Sequence, residues 1–311
     1  MKPVILLLEP MMAEIEAALD AAYDVRRGGV ADALALSGEA AATVRAIVTG
    51  GGTGAPPELV ARLPQLGIVV VNGVGTDKID LADARARGVR VTITSGTLAD
   101  DVADQAIALL LAVSKKVVRN DRFVRSGGWL TGNVPLGRKV SGKRVGILGL
   151  GHIGREIARR CEGFAMEISY CTRTPVADAP YRHVADPVAL ARDVDILIVA
   201  TVGGAGTRHL VNRAVLDALG PEGVLVNIAR GSVVDEAELV AALVDGRLGG
   251  AGLDVFADEP RVPEALMVLD SVVLAPHQAG ATLETRTAMG RNVLDNLAAF
   301  FAGREPPTPV V

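Results

Sequence analysis

The chain has 311 residues, half of them hydrophobic and only 3% aromatic, with a formal net charge of −4. That length predicts two domains of ordinary size, and cores of Ala, Val, Leu and Ile suit helices packed on buried strands. With no basic run and few rings for base stacking, nucleic acid does not fit as a partner.

The chain opens with MKPVILLLEP, where the apolar run at residues 4–8 is broken at once by Glu9. It is too short for a signal core or a membrane span, so a soluble cytoplasmic protein without a membrane partner is expected. VILLL, RAIVTG, IVVVNGV and VRVTIT then read as strands within the first hundred residues, separated by stretches such as MMAEIEAALDAAY and PPELVARLP. A long amphipathic helix is predicted over 100–116. A turn-rich loop at 126–135 follows, carrying the only tryptophan, Trp129.

From Lys143 a second alternation begins, with RVGILGL, MEISYC, DILIVA, VLVNIA, GAGLDV and SVVLAP as six strand-like runs. Repeated β-α-β alternation implies parallel sheets with crossover helices, and so a doubly wound α/β fold. Six strands in the second block match two mononucleotide-binding halves. A last helix over 283–301 precedes Gly303 and the tail EPPTPVV, and is available to return to the first domain. Cys161 and Cys171 give neither a disulfide framework nor metal-ligand spacing, so no metal site is expected. No internal repeat and no low-complexity segment is found.

The motif GLGHIG falls after the apolar strand RVGIL and opens the helical stretch IGREIARRCEGF. In that setting Gly149 permits a tight turn, Gly151 lets backbone approach a pyrophosphate, and Gly154 allows close helix–strand packing. The helix N-terminus at His152 and Ile153 offers unpaired N–H groups and a partial positive charge. Arg173 stands 19 residues past Gly154, where an NAD site usually carries a ribose-reading carboxylate. An arginine between Thr172 and Thr174 presents a donor fork and two hydroxyls suited to a 2′-phosphate. NADP is the favoured cofactor, with NAD possible.

NIARGSVVDEAEL, GAGLDVFADEP and LAPHQAGAT each begin as an apolar strand and end in polar residues. Ligands of doubly wound sheets lie beyond the carboxyl ends of strands, which gives Arg230, Asp254 with Glu259, and His277 a common reason to converge.

These motifs, in this order, resemble those of the D-isomer-specific 2-hydroxyacid dehydrogenases, and most of all the glyoxylate/hydroxypyruvate reductases among them. The similarity covers essentially the whole chain. NGVGTDKID at 72–80 resembles the loop with which that family holds the substrate carboxylate. The resemblance implies a Rossmann-type cofactor domain (97–284) inserted in a flavodoxin-like substrate domain (1–96 and 285–311). It implies Arg230 for the substrate's carboxylate and carbonyl oxygen, His277 as acid/base, Glu259 as its partner and Asp254 for the nicotinamide carboxamide. Backbone N–H groups around Val74 and Gly75 would take the carboxylate of a small 2-oxo or 2-hydroxy acid. It also implies a homodimer made through the nucleotide domain, in which Trp129 reaches the neighbouring subunit.

Three departures from the family pattern bear on the substrate. Thr76 replaces the family's aromatic in GVGYD, Gln278 follows His277 where an aliphatic residue is common, and TVGGAGT at 201–207 lacks the usual proline, which predicts a looser turn. An NAD-linked dehydrogenase of another D-2-hydroxy acid stays open as an alternative, as does a dinucleotide-sensing, corepressor-like binding protein.

Overall fold

The computed structural model describes residues 2–311, which divide into two compact units. The first is built from both ends of the chain, 1–98 with 281–311, and the second from 99–280.

In the first unit the strands are β1 (Val4–Leu7), β2 (Asp24–Arg27), β3 (Val44–Gly50), β4 (Ile68–Asn72) and β5 (Arg90–Ile93). All pair in parallel, in the order β2-β1-β3-β4-β5. That is the strand order of flavodoxin-like folds. Alternate residues serve two layers, because a strand's side chains point to opposite faces. Ile5, Val48 and Val70 pack with Ile15 and Leu19 of helix Ala13–Ala22 and with Val293 and Leu297 of helix Leu283–Phe301. Leu6, Ile47, Val69 and Val91 pack with Leu59, Val60 and Ala84 on the other face. The proline-rich tail is tied down rather than loose: Thr308 Oγ1 donates to the Ile93 carbonyl at 2.5 Å, and Val310 N–H to that of Val91 at 2.8 Å.

The second unit holds seven parallel strands: β6 (Arg144–Leu148), β7 (Glu167–Cys171), β8 (Arg182–His183), β9 (Ile196–Val199), β10 (Val224–Asn227), β11 (Gly250–Leu253) and β12 (Val272–Leu274). Their order is β12-β11-β10-β9-β6-β7-β8, so the winding reverses between β6 and β9. Ligands bind at such a reversal in open α/β sheets. Helix Ala99–Lys115 covers β10, β11 and β12 and lies against helix His152–Gly163. Leu190, Leu216 and Leu239 pack in one core with Leu148, Leu197, Leu225 and Leu253 of the strands.

Two strands differ from the sequence reading, which gives four strands and six where the structure has five and seven. The additional ones are β2, with sequence DVRR, and β8, only two residues long; both are sheet edges. Short, charged edge strands lack the apolar alternation that marks their buried neighbours. No helix among the described residues is long and apolar enough to cross a membrane.

Candidate active site

The glycine turn sits at the reversal between β6 and β9. Gly149 adopts φ of +97°, and a Cβ there would lie 2.8 Å from the Ala200 carbonyl oxygen and from Thr201 beyond β9. A side chain on Gly154 would stand 2.1 Å from the Gly149 carbonyl oxygen, so the helix seats directly on the turn. Gly151 is different: a Cβ there meets nothing within 4 Å, and the residue lines a cavity of about 750 Å³. Gly151 is also the N-cap residue of helix His152–Gly163 and supplies no side-chain cap, so the first N–H groups of that helix keep their capacity for an anion. Crowding behind the turn and open space in front of it fit a dinucleotide pyrophosphate.

Cys171, Thr172, Arg173, Thr174 and Val176 line the same cavity beyond β7, opposite residues 200–207 beyond β9. Arg173 is exposed, and among the described residues its side chain has no hydrogen bond or ion pair. Thr172 Oγ1 donates to the Thr174 carbonyl at 2.7 Å, which spends its proton inside the loop. Of the two threonines, Thr174 is thus the better donor for a ligand. The TVGGAGT turn is firmer than its glycines suggest, because Thr207 Oγ1 donates to the Val202 carbonyl at 2.7 Å.

Arg230, Asp254, Glu259 and His277 follow β10, β11 and β12 in this same unit. Gly231 allows the end of β10 to touch the end of β11: a Cβ there would overlap the Phe256 carbonyl at 2.0 Å. Asn227, fully buried, shapes the turn before Gly231 by accepting from Ala229 N–H and donating to the Arg230 carbonyl, both at 3.1 Å. Arg230 Nη1 donates to the Ala229 carbonyl at 2.7 Å.

Glu259 Oε2 lies 2.7 Å from His277 Nδ1, and Oε1 accepts Phe256 N–H at 3.0 Å. Burial pushes the Glu259 carboxyl up, but the hydrogen bonds from His277 and Phe256 and the positive charges of His277 and Arg230 outweigh it. The carboxyl is held below its ordinary value. Ionised, it accepts the Nδ1 proton, so Nε2 is the ring nitrogen that the glutamate does not engage.

His277 has φ of +55°, a conformation L residues seldom take, and Asp254 holds it there. The Asp254 carbonyl accepts His277 N–H at 2.8 Å, while its carboxylate oxygens accept Gln278 N–H and Ala279 N–H at 2.9 Å each. Asp254 is fully buried; burial raises its pKa, and those two N–H bonds oppose the rise. Its first task in this structure is thus to shape the histidine loop.

Glu236, which the sequence reading leaves unassigned, accepts Ala257 N–H at 2.9 Å and so ties the loop before Glu259 to helix Glu236–Val244. Asp235 caps that helix by accepting Glu238 N–H. A short polar side chain followed by glutamate at a helix start is the signal that could have marked both.

Val74 and Gly75 lie in the first unit, just past the carboxyl end of β4. Val74 is exposed, and Gly75 backs on Gly51, where a Cβ would lie 3.1 Å from the Gly75 carbonyl oxygen. Thr76 closes the turn by accepting Ile79 N–H at 3.0 Å. Trp129 belongs to the second unit, on a 3₁₀ turn (Gly128–Leu130), and is 70% exposed.

Fold and glycine turn together define a dinucleotide-binding protein of the doubly wound class. Residues 107–279 match the family described as D-isomer specific 2-hydroxyacid dehydrogenase, NAD binding domain. A 2-ketogluconate reductase of Gluconobacter oxydans is 45% identical over 310 residues, covering 100% of this chain and 99% of the relative. A hydroxyphenylpyruvate reductase of Plectranthus scutellarioides is 48% identical over 311 residues, covering 99% and 98%. The crystal structure of an NADPH-dependent glyoxylate/hydroxypyruvate reductase from Sinorhizobium meliloti, in complex with NADP and malonate, is 42% identical with a TM-score of 0.95, covering 100% of this chain and 97% of that one. The chain belongs to the D-isomer-specific 2-hydroxyacid dehydrogenase family, and its cofactor is a nicotinamide dinucleotide.

Proposed function

We propose that the protein is an NADPH-preferring reductase of small 2-oxo acids, glyoxylate and hydroxypyruvate among them, yielding the 2-hydroxy acids. The observation that carries this reading is the contact of His277 Nδ1 with Glu259 Oε2 at 2.7 Å, within the field of Arg230.

Reduction of a carbonyl needs a hydride at carbon and a proton at oxygen. A bound reduced nicotinamide supplies the hydride. His277, charged and backed by ionised Glu259, delivers the proton from Nε2 to the carbonyl oxygen. Glu259 accepts the Nδ1 proton, so the ring is held with Nε2 as the nitrogen that delivers the proton. Arg230 stabilises negative charge growing on that oxygen and binds the acid end of the substrate. Backbone N–H groups at Val74 and Gly75 are assigned to the substrate carboxylate. Gly149, Gly151, Gly154 and the helix start at His152 and Ile153 would hold the pyrophosphate; Asp254, fully buried with both carboxylate oxygens taken by Gln278 and Ala279 N–H, would act on the nicotinamide side through its loop.

Preference for the phosphorylated cofactor rests on Arg173, an exposed guanidinium at the cavity edge with no hydrogen bond or ion pair among the described residues, with Thr174 beside it. A 2′-phosphate is the chemistry such a fork matches. We also assign a homodimer. Helix Val117–Arg125 buries no residue, and Trp129, Leu130 and Leu136 near it are 70%, 91% and 94% exposed. Apolar surface of that kind marks an interface, and a mass by sedimentation of twice the chain would support it.

A panel of small 2-oxo acids assayed with NADPH and NADH tests the reaction. Reduction of glyoxylate or hydroxypyruvate is expected. Dinucleotide binding without turnover of any 2-oxo acid would instead favour a sensing protein.

A further inference from the structure

The loop joining β7 to β8 has no regular structure over residues 172–176, yet three side chains fix it. Tyr170 and His183 are partners in register across β7 and β8, with ring centroids 5.2 Å apart and planes at 54°. The Tyr170 ring is buried, and its hydroxyl accepts Val176 N–H at 3.0 Å. His183 Nε2 lies 2.9 Å from the Thr172 carbonyl oxygen. A carbonyl can only accept, so Nε2 carries a proton and donates it. One ring therefore ties the first carbonyl of the loop, the other ties its last amide, and the two rings pack on each other. Thr172 Oγ1 to the Thr174 carbonyl closes the span across Arg173.

We infer that Tyr170 and His183 are positioning residues that hold the 172–176 loop in the form presenting Arg173, and thereby set the preference for a 2′-phosphorylated dinucleotide. The inference rests on the reading of Arg173 as the phosphate ligand. An unanchored loop spreads its arginine over many positions, and ordering it draws on the binding free energy. A dinucleotide without the 2′-phosphate does not use Arg173 and is spared that cost. This gives β8, a two-residue polar edge strand, a purpose: it brings His183 beneath the loop.

Calorimetric titration of the apo protein tests the clamp, with adenosine 2′,5′-bisphosphate and AMP as the probes. His183→Phe keeps a ring against Tyr170 and deletes the donor, His183→Gln restores an amide donor, and Tyr170→Phe removes the acceptor. His183→Phe and Tyr170→Phe should each weaken the bisphosphate by about 2–10-fold and AMP by less than about twofold, with His183→Gln recovering most of the loss. Combined with Arg173→Ala, His183→Phe should cost nothing further, because it acts only through that arginine. Equal weakening of both probes, or no change in either aromatic variant while Arg173→Ala still loses the bisphosphate, would overturn the clamp and leave Arg173 standing. Full bisphosphate affinity in Arg173→Ala would remove the phosphate reading and the clamp with it.

Discussion

His277 and Glu259 meet at 2.7 Å although they follow different strands, and main-chain hydrogen bonds fix both partners. Phe256 N–H holds one oxygen of the glutamate, and the Asp254 carbonyl holds the backbone of the histidine. Which ring nitrogen meets the glutamate is thus set by where β11 and β12 end, and in the proposed reaction Nε2 is the nitrogen that delivers the proton.

His277→Ala should lower turnover of 2-oxo acids by about 10²-fold or more, the usual contribution of a general acid. Dinucleotide affinity should change little, since the ring is assigned to the substrate oxygen. Turnover close to wild type in this variant would contradict the assignment.

Glu259→Gln removes the carboxylate that accepts the His277 Nδ1 proton at 2.7 Å. With the ring no longer held by a charged acceptor, kcat/KM for the 2-oxo acid should fall while dinucleotide affinity is kept. A second effect belongs to stability. Glu259 sits below its ordinary value of 4.5, so the stability it contributes is complete above that pH and is lost as pH falls through the lowered folded value. Melting temperatures followed from about pH 6 down to about pH 3 should fall less steeply in Glu259→Gln than in wild type. Parallel curves and an unchanged kcat/KM would speak against the pairing.

Gly231→Ala should damage the site without touching a reacting group. Its Cβ would overlap the Phe256 carbonyl, which is main chain and cannot swing aside. Forced packing of this kind typically costs about 1–3 kcal/mol. Because Arg230 precedes Gly231 and Glu259 follows Phe256, kcat/KM should fall together with melting temperature. An alanine variant with native values of both would show that the two strand ends are not held by this contact.

The buried parts of the fold were legible because they carry a repeating signal. Parallel strands such as IVVV and ILIV are covered on both faces, and the glycine turn falls where β6 must give way to a helix. β2 and β8 escaped because edge strands need few apolar residues, and Arg26, Arg27 and Arg182 break any apolar run there. Arg230, Glu259 and His277 stood out in sequence because their types and their places at strand ends agree. Glu236, Asn227 and Tyr170 did not, because each acts on a backbone group far along the chain or across a turn, a relation that spacing does not encode. The Thr172 hydroxyl bond to the Thr174 carbonyl is of the same kind, a contact within the loop that spacing does not encode.

Parallel measurement of kcat/KM for NADPH and NADH, with glyoxylate or hydroxypyruvate, in wild type and in Arg173→Ala tests the central claim most directly. A charge-assisted hydrogen bond is worth roughly 1.5–3 kcal/mol, about 10–100-fold in affinity. Wild type should reduce the 2-oxo acid and favour NADPH, and Arg173→Ala should lose about 10–100-fold with NADPH while changing much less with NADH. A wild-type enzyme that prefers NADH, or a variant that loses both cofactors equally, would contradict the account.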